Sequence, residues 1–145
     1  MSRVMLIAAD KPLPLCDHRE MRTKVVKALG KEFRITSDVG FQVEEHGYYR
    51  GAVDALGLTL KPWQYGLSME LCETDLNHLL AYLRDNHSAG ETVELWNLWV
   101  GIDREDKPAH YRGKLSELDM DTLKQFLEPE TVPGKIGQCK LTITI

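Results

Sequence analysis

Asp10, Cys16, Asp17 and His18 are the residues of this chain whose types and spacing invite chemistry. They fall in LIAADKPLPLCDHRE (Leu6–Glu20), where an apolar run gives way to two prolines and then to acids and bases. An acid at a strand end, a thiol and an imidazole could supply a nucleophile and its base. Ligands of open α/β sheets collect at strand carboxyl ends, where Asp10 would stand. The plainer reading is punctuation: Asp17 caps a helix, Glu20 reaches back to its free amides, and Pro-Leu-Pro is a stiff turn. Placed just before such a cap and near Arg19, Cys16 would feel dipoles that favour a thiolate, whereas a protonated His18 would be disfavoured in the first turn. The balance favours punctuation.

Other chemistries fit less well. No glycine lies between Ala9 and Cys16, and Pro12 and Pro14 remove amides that would cradle a phosphate. Cys16, Cys72, Cys139, His46, His78, His87 and His110 are scattered without paired-cysteine or H-E-x-x-H spacing, so no metal and no cofactor is expected. Gly66-Leu67-Ser68-Met69-Glu70 is half of a nucleophile elbow and falls inside a strand pattern. The Asp103/Glu105/Asp106 run lacks the glycine and distal glutamate of a calcium loop and reads as a solvated hairpin tip.

The elements that must position these residues follow from periodicity. Val4 to Ala8 is apolar on both alternating sets, as in a strand covered on both faces near the middle of a sheet. Met21, Val25, Ala28 and Leu29 recur at helical spacing after Asp17, with Gly30 as the C-terminal cap, which predicts a helix. Phe33–Thr36 and Phe41–Glu44 flank Ser37-Asp38-Val39-Gly40 and read as a hairpin. Residues 46–62 are irregular, with one short helix around Ala52–Leu56.

The second half is more periodic. Gln64–Leu71 alternates as a strand, and Thr74 or Asp75 caps a helix striped by Leu76, Leu79, Leu80 and Leu83. Thr92–Ile102 and a strand ending near Gly113 follow. A short helix starting at Ser116 or Asp119 then turns Met120, Leu123, Phe126 and Leu127 inward, and Cys139–Ile145 is a last strand. Residues 64–145 therefore run β-α-β-β-α-β, the order of a ferredoxin-like split sheet. Leu95 and Trp99 on one side, and Trp96, Leu98 and Val100 on the other, make both faces of the long strand apolar. Something must cover the Trp96 face. Cover from residues 1–63, with Trp63 as a contributor, is favoured over a homodimer interface.

Bulk properties set outer limits. At 145 residues, 43% hydrophobic and 28% charged, the chain suits a single globular domain. No apolar run approaches the ~20 residues of a membrane span. The N-terminal apolar stretch is too short for a signal core, so a cytoplasmic location is expected, with three free thiols. The net charge of −4 speaks against nucleic-acid binding. From Asp17 to Arg34, however, six lysines and arginines meet three acids, a local +3 that leaves −7 elsewhere. The basic face bearing Arg19, Arg22, Lys24, Lys27 and Lys31 is the best place for an acidic partner.

The opening VMLIAADKPLPL (Val4–Leu15) resembles the start of small bacterial cytosolic proteins that begin with a strand and an I-A-x-D-x-P-L-P stretch. LSELDMDTLKQFL (Leu115–Leu127) is similar to their short C-terminal helix. The resemblance implies no activity, cofactor or catalytic residue.

The expectation is thus one α+β domain over residues 1–145, an N-terminal strand-helix-hairpin added to a split β-α-β sheet. Its function is expected to be non-enzymatic protein interaction or self-association, through Trp96 and the sheet face or through Arg19 and Arg22. The alternative is a small enzyme or ligand-binding protein built on Asp10, Cys16 and His18.

Overall fold

The computed structural model describes residues 2–101, 107–130 and 137–145. In chain order the first elements are β1 (Ser2–Ala9), β2 (Cys16–Asp17), β3 (Glu20–Ala28), β4 (Lys31–Val39), β5 (Gln42–Glu45) and α1 (Arg50–Asp54). There follow β6 (Trp63–Ser68), α2 (Glu73–Asn86), β7 (Thr92–Val100), β8 (Ala109–Lys114), α3 (Met120–Leu127) and β9 (Cys139–Thr144). The architecture is α+β, with a seven-stranded mixed sheet in the order β2-β5-β6-β1-β7-β9-β8 and a separate two-stranded ribbon of β3 and β4.

The doubly apolar pattern of β1 places it near the middle of the sheet, antiparallel to β6 and β7. Ile7 and Ala9 enter the larger core, beneath α2 and α3, with Leu79, Leu83, Leu95, Leu123, Phe126 and Ile143. Val4, Leu6 and Ala8 enter the core on the opposite face, with Trp96, Leu98, Val100 and Val53. The cover there comes from within the chain, from Val53 on α1 and the partly buried Tyr49, Leu56, Leu58 and Leu60. Trp63 is not among these covering residues and is 46% exposed. The buried polar side chains Asn97 and Glu94 are matched, whereas the buried His46 Nε2 has no hydrogen-bond partner among the described residues. Asn97 donates to the Phe126 carbonyl at 2.7 Å, and Glu94 accepts from the Lys61 amide at 2.8 Å and pairs with Lys140 at 2.9 Å.

Helix α3 starts where its cap demands, the Thr122 amide donating to Asp119 Oδ1 at 2.9 Å. Met120 is exposed at its start, while Leu123, Phe126 and Leu127 point inward. Helix α2 begins two or three residues earlier than a cap at Thr74 or Asp75 would set it, with Cys72 at the cap position. Strand β9 is paired on both sides, as an alternating Cys139, Leu141, Ile143 inner set requires.

Three expectations are corrected. First, the order of elements from β6 to β9 is the expected one, but the hydrogen bonding is not that of a split β-α-β sheet. Strand β1 separates β6 from β7, and β8 pairs in parallel with β9 instead of forming a hairpin with β7. The tip expected at Asp103–Asp106 lies outside the described residues.

Second, the segment expected as a helix from Asp17 to Gly30 is extended: β3 pairs with β4 along its whole length, from Glu20↔Val39 to Ala28↔Lys31. Leu29 and Gly30 have φ of 53° and 72°, positive at both central positions as a type I′ two-residue hairpin turn needs. Gly30 does adopt the left-handed conformation expected of a helix cap, in a strand turn.

Third, the hairpin expected between Phe33–Thr36 and Phe41–Glu44 does not form, because β4 is taken by β3 and β5 pairs with β2 and β6. The break between β4 and β5 falls at Gly40, φ 145°, where a Cβ would meet the His18 carbonyl oxygen at 3.0 Å and Arg19 Cα at 3.1 Å. Only glycine suits that crossing.

Candidate functional site

The ribbon of β3 and β4 stands apart from the sheet as an arm. Nine-residue strands at ~3.3 Å per residue make it about 30 Å long. The sequence supports it locally through β-branched and aromatic residues in register, Thr23 opposite Thr36 and Val26 opposite Phe33, with the threonine hydroxyls 2.9 Å apart. Among the described residues neither strand has a second strand partner.

One face carries Arg22, Lys24, Val26, Phe33 and Ile35, and the other carries Met21, Thr23, Val25 and Arg34. Both faces are open over much of their length. Met21, Val25, Val26, Phe33 and Ile35 are exposed, and Leu29 at the tip is 96% exposed. Leu29 also occupies a left-handed conformation that leucine rarely adopts, at the point furthest from the sheet.

The base of the arm is pinned. Arg22 Nη2 and Nη1 donate to the two oxygens of Asp75 at 2.8 and 3.1 Å, and Arg22 also contacts Glu70 and Cys72 Sγ. The fully buried Asp75 accepts the Glu70 amide as well, at 2.7 Å. Burial alone would raise the Asp75 pKa, but Arg22 and that amide outweigh it and hold the group below its ordinary range. Hydrogen bonding to Asp75 likewise raises the Arg22 pKa. Lys24 pairs with Glu70, which ties the arm a second time to the start of α2.

The residues expected to do chemistry are differently disposed. Asp10 is exposed and ion-paired with Lys61. Cys16 lies in edge strand β2 opposite Val43, and burial pushes its thiol pKa up. Asp17 does not cap a helix. It accepts from the Arg19 amide at 3.0 Å and from its guanidinium at 2.8 Å, and its pKa is lowered to about 2.

His18 stacks on His78 of α2, ring centroids 4.2 Å apart, and its amide donates to the Phe41 carbonyl at 2.8 Å. Phe41 and Tyr82 extend this aromatic stack, and the Tyr82 hydroxyl donates to the Pro14 carbonyl. The arrangement fastens the loop after β1 onto α2. Among the described residues no group of three or more histidine, cysteine or acidic side chains is arranged to hold a metal.

The expected interaction residues also move. Trp96 is 4% exposed under the α1 segment, with Lys140 4.9 Å above its ring. Arg19 belongs to the arm's root, and Arg22 turns inward to Asp75. Leu29, Phe33 and Ile35 are not among the interaction residues expected from the sequence. The available signal was the run of β-branched residues on either side of Leu29-Gly30.

No family model, curated protein or solved structure matches this chain. No helix among the described residues is long and apolar enough to cross a membrane.

Proposed function

We propose that this is a non-enzymatic binding protein whose β3–β4 arm is the docking element. The observation that carries the reading is a ribbon offering Met21, Val25, Val26, Leu29, Phe33 and Ile35 to solvent while anchored at its root by a buried ion pair. A two-stranded ribbon is marginal by itself, and large open apolar patches on monomers usually mark interaction sites. Lys31 and Arg34 have no ion-pair partner among the described residues, so the arm offers apolar contact together with free positive charge. The aliphatic content on both faces, and the acids Glu20, Glu32 and Asp38, suit an acidic protein surface better than a phosphate backbone. The enzymatic alternative draws less support, since Lys61 occupies Asp10 and the Cys16 thiol is shifted away from the thiolate.

The test is a photo-crosslinking amino acid placed at Val25 or Phe33, and at exposed Asp85 on α2 as the comparison. Expression in cells should give a discrete covalent adduct from both arm positions and none from Asp85. That adduct should be lost when Lys27→Glu and Lys31→Glu are added. No adduct from the arm, or equal yield from Asp85, would overturn the reading.

A further inference from the structure

The arm has a counterpart on the body of the same chain. A cleft of about 290 Å³ opens near the end of β5, lined by Glu44, Glu45, Tyr48, Tyr49 and Gly66 and by Arg3, whose guanidinium turns away to Asn97 and the Leu127 carbonyl. Glu44 and Glu45 are exposed and have no ion-pair partner among the described residues. Tyr48 is 92% exposed, held edge-on against the half-buried Tyr49 with ring centroids 4.8 Å apart. An acidic cleft with an open aromatic ring is the chemical complement of a leucine flanked by two lysines. The arm tip reads Lys27-Ala28-Leu29-Gly30-Lys31.

The same protomer does not bring the two together. The arm is fastened at its root to Glu70 and Asp75, and among the described residues no hydrogen bond, ion pair or ring contact joins Lys27–Lys31 to the cleft.

Resting on the reading of the arm as docking element, we propose that its occupant is a second copy of this chain. The Lys27–Leu29–Lys31 tip of one protomer seats in the Glu44/Glu45/Tyr48 cleft of its partner, and the reciprocal contact closes a two-fold dimer. Charge fits this choice. Residues 20–39 carry five cations and three acids, +2, and the rest of the chain carries −6. Area fits as well. Leu29 and the one face bearing Val26, Phe33 and Ile35 leave on the order of 400 Å² of apolar surface, and in a reciprocal dimer each protomer also buries its cleft surface, towards the ~800 Å² per partner of a standard interface. Leu29 in its left-handed turn then has a use, since the tip residue is the one that enters the partner.

Sedimentation equilibrium of the full chain over a dilution series tests this. The unmodified chain should dimerise at tens of micromolar or below. Leu29→Asn suits the turn better than leucine and preserves folding, yet it should weaken the dimer at least tenfold. Lys27→Glu/Lys31→Glu and Glu44→Lys/Glu45→Lys should each be monomeric, and their mixture should restore a dimer containing one of each. If the lysine pair at the cleft disturbs folding, Glu44→Gln/Glu45→Gln serves in its place and should weaken the dimer without the rescue. A monomer at every concentration would overturn the second copy as occupant, while arm adducts to a different protein would still uphold the docking role. A dimer indifferent to the tip and cleft changes, or no rescue on mixing the charge-reversed pair, would overturn the proposed contact.

Discussion

The guanidinium of Arg22 on β3 grips the buried carboxylate of Asp75 on α2 through two hydrogen bonds, at 2.8 and 3.1 Å, across 53 residues of sequence. This pair joins the arm to the body. Its carboxylate is fully buried, while the guanidinium keeps 18% of its surface in solvent.

Removing one partner of a buried pair leaves a charge without compensation. Arg22→Met is therefore expected to destabilise the fold by about 3–5 kcal/mol, measured by urea unfolding. Arg22→Lys should recover only part of that loss, because a single ammonium cannot supply the two-pronged donor. An unchanged midpoint in Arg22→Met would show that the arm is not held by this pair.

Acid should act through the same carboxylate. The folded-state pKa of Asp75 lies below its ordinary 3.8, so its stabilisation is complete above that value and is lost as pH falls through the lowered one. Melting temperature should drop steeply below about pH 4. Asp75→Asn should flatten that part of the profile.

His46 should govern a higher window. Burial, with Arg50 nearby, lowers its pKa from 6.5, so the folded state favours the neutral ring. Its contribution is present above pH 6.5 and is lost as pH falls towards the lowered folded value. Melts between pH 7.5 and 5, with pH intervals of about half a unit, should show a decline that His46→Gln reduces. Equal slopes in both proteins would assign the decline elsewhere.

The thiols should separate by accessibility. Cys16 and Cys72 are partly exposed, whereas Cys139 is buried and its pKa is pushed up to about 11. Titration of the unfolded chain should count three thiols, and in the native protein Cys139 should react last. A Cys16 that alkylates faster than Cys72 near neutral pH would revive the nucleophile reading.

Strand β9 should be indispensable. Leu141 and Ile143 are almost fully buried, between strands β7 and β8. Ile143→Ala is expected to cost about 2–5 kcal/mol, and deletion of Leu141–Ile145 should abolish the cooperative melt.

What the sequence by itself determined is the set of elements with at least one covered face. The 3.6-residue stripe of α2, the Asp119 cap of α3, the doubly apolar β1 and β7, and the alternation of β9 each state locally which side meets a core. The arm could not be read that way. Met21 and Val25 are four apart, which places them on one helical face and equally on one face of a strand, and a ribbon solvated on both sides has no buried set to break the tie. Gly30 serves a helix end and a type I′ turn with the same left-handed backbone. Tertiary structure alone decided the pairing. The contact of Arg22 with Asp75, the insertion of β1 between β6 and β7, the parallel β8–β9 pair and the cover over Trp96 all join residues distant in sequence. No local periodicity encodes such partners, because which strand or carboxylate is met depends on how separate elements share one sheet and its two cores.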